Sequence, residues 1–166
     1  VGLEEPVAHA LPAWDCIAGQ MMVSALLAAE RHRLRTGNGQ DVEFSLKDVA
    51  AAMLGNLGII GDTATGGAKR QKSGNALYGA YGQDFISADG ERVMVIGLTR
   101  RQWQGIVKVT GTGAQMDQLA TRLGANFADE GQRYIHRDAI TEVLKPWFAQ
   151  RAIAEIGTLF DDNSLT

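Results

Sequence analysis

From Pro12 to Arg35, apolar residues recur every three or four positions. Trp14, Ile17, Met21, Ala25 and Ala28 form one row, with Met22, Leu26 and Ala29 alongside. That spacing predicts a long helix with a wide apolar stripe. Its alanines favour the helix and allow a neighbour to approach closely. Pro12 suits the first turn, where its missing N–H costs nothing. The basic end, Arg31 to Arg35, and the following Thr36-Gly37-Asn38-Gly39 suit a helix C-terminus. Asp41–Phe44 reads as a very short strand or an extended link. Ser45 and Asp48 then make a capping-box-like start to a second helix, reaching about Asn56 or Ile60. Gly61–Gly74 is polar and glycine-rich and reads as a loop.

The period changes next. Tyr81–Ser87 and Arg92–Gly97 flank Ala88-Asp89-Gly90-Glu91, a hairpin signal. Thr99, with Gln102 three residues on, predicts a capped helix over Arg100–Val109 whose inner face carries Trp103, Ile106 and Val107. Further helices are predicted over Ala114–Leu123, Gln132–Phe148 and Ile153–Phe160, with Pro146 kinking the last turn of the second. The strands are too few for a doubly wound sheet, so the fold class is α+β. The expected organisation is a helical segment over 1–60, a linker over 61–74 and a small α+β domain over 75–166.

Composition adds exclusions. The 166 residues are 45% hydrophobic and 21% charged, a globular balance. The formal net charge of -3 argues against broad attraction to nucleic acid, and the basic run at Arg31–Arg35 has no interleaved aromatics. No stretch approaches the ~18 apolar residues of a membrane span. The first residues lack the pattern of a secretory signal, so a cytoplasmic location is expected. One cysteine excludes an internal disulfide framework. His9, His32 and His136 have no close metal-ligand spacing, so no metal is expected.

Four features could carry chemistry. Asp15 falls in the first turn of the long helix, as an ordinary first-turn acid or as a carboxylate nucleophile toward an acyl group. Cys16 reads as a small buried thiol rather than a nucleophile. The loop GDTATGGAKRQKSG has neither P-loop spacing nor a dinucleotide fingerprint. It is a solvated linker, or it brings Lys69, Arg70 and Lys72 to a phosphorylated ligand. Asn75–Gly82 offers Asn75, Tyr78, Gly79, Tyr81 and Gly82 either for ligand contact or for plain packing.

The joined pattern says more. PAWDCIAGQMMVSALLAAERHRLRTGNGQDVEFSLKDVA, followed by SGNALYGAYGQDFISADGERVMVIGLTRRQW, resembles the centre of a family III CoA-transferase of the CaiB/BaiF group, which includes the methylacyl-CoA racemases. The resemblance implies an interlocked dimer and a small α+β domain joined by a linker to a Rossmann-like large domain. Asp15 matches the family's catalytic aspartate. The implied route moves CoA between carboxylates through an aspartyl anhydride and an aspartyl-CoA thioester. CoA thioester would be a cosubstrate, with no tightly bound cofactor. The resemblance also implies that the chain is a central fragment without most of the CoA site, incomplete or inactive in isolation. Two alternatives stand beside this. One is a non-catalytic oligomerising or binding module, and the other is a racemase-like fragment. The racemase glutamate falls near Thr99, which is no useful base.

Overall fold

The computed structural model describes residues 10–67 and 72–166. The chain divides between Gln71 and Lys72 into two compact units. The first is helical. Helix α1 (Ala13–Thr36) starts after Pro12, which is its N-cap rather than part of its first turn. Gly37 closes it at φ 76°, a left-handed position natural to glycine, and its N–H donates to the Arg33 carbonyl at 2.8 Å. Arg33 and Arg35 occupy the last turn, as the macrodipole favours.

Residues 41–44 are an extended link and not a strand. Helix α2 (Leu46–Asn56) begins where Ser45 Oγ accepts the Asp48 N–H at 3.1 Å. Helix α3 (Ile59–Ala64) follows from Gly58 in the left-handed region. The stretch expected to be loop from Gly61 is therefore helical as far as Ala64, because α3 starts on the glycine that ends the previous turn. Within 10–67 only Ala18 and Val49 are buried. Leu26, Leu27 and Leu34 on α1 are each more than three-fifths exposed.

The second unit holds the core. Strands β1 (Tyr81–Ile86) and β2 (Arg92–Gly97) pair antiparallel, with Tyr81 opposite Gly97 and Ile86 opposite Arg92. Gly90, at φ 82°, makes the turn. Helices α4 (Arg100–Thr110), α5 (Gly113–Leu123), α6 (Glu130–Ile135), α7 (Arg137–Ala149) and α8 (Ile153–Asp162) pack with the hairpin. The α4 capping box is complete: Gln102 N–H donates to Thr99 Oγ1 and Thr99 N–H to Gln102 Oε1.

The single helix expected over 132–148 is instead α6 and α7. They meet at His136, whose ψ of 18° leaves the helical range. Asp129 caps α6 by accepting the Gln132 N–H, which fixes a separate start. Helix α7 runs through Pro146 to Ala149.

Ile106, Ile140, Leu144 and Phe148 are fully buried, and Phe85 stacks on Phe148 with ring centroids 4.1 Å apart. Each such side chain contributes about 1.5–3 kcal/mol through burial. Two long-range ties close the unit. Asp89, in the hairpin turn, accepts the Ile153 N–H at the uncapped start of α8 at 3.1 Å. Ala88 N–H donates to the Arg151 carbonyl at 2.8 Å.

Candidate functional site

Asp15 is the acid in the first turn of α1, whose N-cap residue, Pro12, offers no capping side chain. Its side chain is exposed. A solvent-facing carboxylate in the first turn of a long helix can approach an electrophile without rebuilding the backbone. Cys16 beside it is exposed, contrary to the buried thiol expected, because α1 buries only Ala18. Along α1 and the extended link, Met22, Leu26, Ala29, Val42 and Phe44 line an apolar groove of about 370 Å³.

The second set of candidates lies in the other unit. Lys72 and Asn75 are exposed, while Lys69 and Arg70 lie outside the described residues, as does His9. The segment leading to β1 is tightly built. Ala76 N–H donates to the Ser73 carbonyl and Leu77 N–H to the Gly82 carbonyl, both at 2.9 Å. Asn75 Nδ2 donates to Asp84 at 3.2 Å, and Arg92 pairs with the same carboxylate. Burial tends to raise the Asp84 pKa, but the hydrogen bonds from Asn75 and Arg92 outweigh it and hold the group below its ordinary value.

Of the two tyrosines offered for ligand contact, the structure separates the roles. Tyr78 is about half exposed and sits edge-on against Tyr134 at 5.2 Å. Tyr81 has no exposed surface; its ring meets Trp103 at 5.5 Å and its hydroxyl pairs with Thr141 at 3.0 Å. Burial pushes its phenol pKa far upward. Tyr81 is therefore core, because it opens β1 on the strand's inward face. Gly82 is also spoken for by packing: a Cβ there would meet Leu77 Cβ at 2.6 Å. Gly79, exposed and at φ 82°, stays on the accessible turn.

Sequence reasoning missed Arg133. Its side chain is buried, donating from Nη1 to the Phe127 and Ala128 carbonyls at 2.9 and 3.2 Å. Nη2 reaches the Leu98 carbonyl at 3.0 Å, at the junction of β2 and α4. The guanidinium also lies 5.6 Å from the Trp103 ring centroid. Burial lowers its pKa from the ordinary value, opposed by Glu130 and Asp129. Thr99, the position raised by the racemase alternative, is committed to capping α4.

Among the described residues, no group of three or more His, Cys, Asp and Glu could hold a metal. No helix among them is long and apolar enough to cross a membrane.

The family model for CoA-transferase family III matches residues 2–166. The chain belongs to CoA-transferase family III. It is 48% identical over 160 residues to a 2-methylfumaryl-CoA isomerase of Chloroflexus aurantiacus, covering 96% of this chain and 39% of that protein. It is 25% identical over 141 residues to a succinate–glutarate CoA-transferase of Agrobacterium fabrum, covering 84% of this chain and 33% of that one. Among solved structures, a CaiB/BaiF family protein from Brucella suis matches with a TM-score of 0.67 at 23% identity, covering 98% of this chain and 41% of its own. A hypothetical protein from Mycobacterium tuberculosis matches with a TM-score of 0.75 at 20% identity, over 98% and 40%. These two share the fold. The chain thus spans about two-fifths or less of the curated relatives it matches. The α+β architecture of helices, linker and small hairpin domain is that of the family.

Proposed function

We propose that this chain carries the nucleophile-bearing helix and the small domain of a CoA-transferase that moves CoA between the two carboxyl groups of 2-methylfumarate (mesaconate). The observation that carries the reading is its 48% identity to 2-methylfumaryl-CoA isomerase across nearly the whole chain. Asp15 is the acyl acceptor. Its carboxylate attacks the thioester carbonyl, the C–S bond breaks, and CoA leaves as thiolate from a mixed anhydride. The thiolate attacks the Asp15 acyl carbon, giving an aspartyl-CoA thioester and freeing the first substrate carboxylate. The second carboxylate attacks that thioester, CoA leaves again, and its attack on the new anhydride restores Asp15. Every bond broken is replaced, and no oxidant or metal enters.

The tetrahedral oxyanions need donors. Backbone N–H groups of Asn75–Gly82 are the candidates, apart from those of Ala76 and Leu77, which are used internally. Lys69, Arg70 and Lys72 are the candidates for CoA phosphates, and Asn75 and Tyr78 for the acyl portion. The rest of the site comes from sequence that the longer relatives have and this span does not cover. The chain is in this reading the central part of a longer enzyme, inactive by itself.

The test is isomerisation of 2-methylfumaryl-CoA by the full-length protein, followed by chromatography of the two isomers. Asp15→Asn is expected to lower the rate by at least about 10³-fold. A variant that turns over at the parental rate overturns the assignment.

A second reading rests on the exposed apolar face of α1. A helix apolar on most sides is ordinarily covered. We infer that it is an oligomer contact, a dimer being favoured. The racemase reading has no such support, since Thr99 is a helix cap.

A further inference from the structure

A cleft of about 650 Å³ opens on the second unit, walled by α4, by α5 and by residues 125–128. Neither Asp15 nor any residue of the 69–82 segment lines it. Its volume lies within the range of small-molecule sites, about 300–1,000 Å³.

The floor is apolar and preformed. Trp103, Met116 and Phe127 are each less than a tenth exposed. Trp103 is held edge-on by Phe127, with ring centroids 6.3 Å apart. Arg133, behind the floor, ties the Phe127 and Ala128 carbonyls to the Leu98 carbonyl before α4. Asn126 Oδ1 accepts the Ala128 N–H at 3.0 Å, and Ala125 N–H donates to the Ala120 carbonyl at 2.9 Å. The loop that completes the cleft is therefore pinned at both ends, and a ligand would not have to order it.

The rim is basic. Arg100 and Lys108 line the cleft from α4, eight residues apart, which is about 12 Å along a helix. Neither has an ion-pair partner among the described residues. Asp117 is the one carboxylate in the lining. The buried Arg133 guanidinium adds a third positive charge behind the Trp103 ring. Lys108 stands one turn before the α4–α5 link, and Gly113 and Ala114 open α5 into the same end of the cleft with no acid in that turn. Thr112 does not cap this end, because its hydroxyl pairs with Thr110 at 2.8 Å. The charges and the aromatic floor together select one chemistry.

We propose that this cleft binds a small organic acid, a carboxylate on a flat apolar body, with the acid group at the Lys108 end and the body over Trp103 and Phe127. The probe is 1-naphthaleneacetate, titrated into the ¹⁵N-labelled chain and followed by amide chemical shifts. The uncharged 1-naphthaleneacetamide is the control.

Saturable shifts confined to 100–128 are expected, with a Kd of about 1 mM for a compound of that size. The acetamide should bind at least about fivefold more weakly, and the Arg100→Gln/Lys108→Gln double variant should lose about tenfold for the acid alone. Both substitutions are on exposed side chains, and an unchanged spectrum outside the cleft reports that the fold is intact. No saturation by about 10 mM overturns the proposal. So does equal binding of the acetamide, an unchanged affinity in the double variant, or shifts centred on α1.

Discussion

Arg133 ties two separate main-chain segments of the second unit together. Its guanidinium makes three hydrogen bonds of 3.2 Å or shorter to main-chain carbonyls from two separate segments, and a longer one of 3.4 Å to Gly97. Hydrogen bonds from a charged donor are worth about 1.5–3 kcal/mol each. The buried Nε has no partner, which offsets part of that gain. Arg133→Ala removes all four bonds and leaves a cavity beside Trp103, so a loss of about 4 kcal/mol is expected. Arg133→Lys keeps the charge but replaces a two-armed fork by one ammonium, at a cost of about 2 kcal/mol. Arg133→Met keeps most of the volume and removes the desolvated charge, yet still leaves the carbonyls unanswered, at about 3 kcal/mol.

The assay is urea unfolding followed by far-UV circular dichroism. Near-UV bands report the packing of the tryptophans, and only variants with an unchanged slope are compared. The order Lys, Met, Ala is the diagnostic. A methionine variant within about 1 kcal/mol of the parent would refute the reasoning, because it would make Arg133 a space-filler rather than a clamp.

Gly82→Ala should destabilise the second unit by about 1–3 kcal/mol, measured in the same way, because the new Cβ meets Leu77 Cβ at 2.6 Å. Asp89 supplies a pH dependence. The Ser87 hydroxyl, with the Ile153 N–H, holds its carboxyl below the ordinary value. Its stabilisation is therefore complete above the unfolded pKa and is lost as pH falls below about 4 through the depressed folded value. Asp89→Asn should remove that acid limb from a stability–pH profile. Leu26→Glu on the exposed face of α1 should shift the protein toward monomer in light scattering, and an unchanged mass would remove the oligomer reading.

The elements whose ends are written in local chemistry were legible. Ser45 capping α2 through the Asp48 N–H, the reciprocal Thr99 and Gln102 at α4, and Asp89-Gly90 in the hairpin turn are all used by the structure, although the Asp48 side chain meets the Ser45 hydroxyl and not its N–H. Helix α3 was not legible, since six residues starting at a left-handed glycine are too few to display a period. The break at His136 was missed because no proline or glycine marks it. Arg133 was missed for a different reason. A single arginine in a helical stretch reads as solvent-facing, and only tertiary structure brings the carbonyls of 98, 127 and 128 to it.

The two tyrosines of Asn75–Gly82 could not be told apart because the assignment depends on where β1 begins. Once Tyr81 opens the strand, its ring goes inward and Tyr78 stays on the turn. The first-turn position of Asp15 was readable from the proline and the apolar period. Its chemistry was not: the residue pattern allowed an ordinary helix-start acid or a nucleophile, and family resemblance is what favoured the nucleophile.

The most direct test of the central reading is intact-mass analysis of the full-length protein, quenched shortly after mixing with 2-methylfumaryl-CoA, followed by peptide mapping. The account predicts a CoA thioester on the peptide carrying Asp15, discharged on further incubation and absent in Asp15→Asn. A covalent adduct mapped to another residue, or full isomerisation by the Asp15→Asn protein, would contradict it.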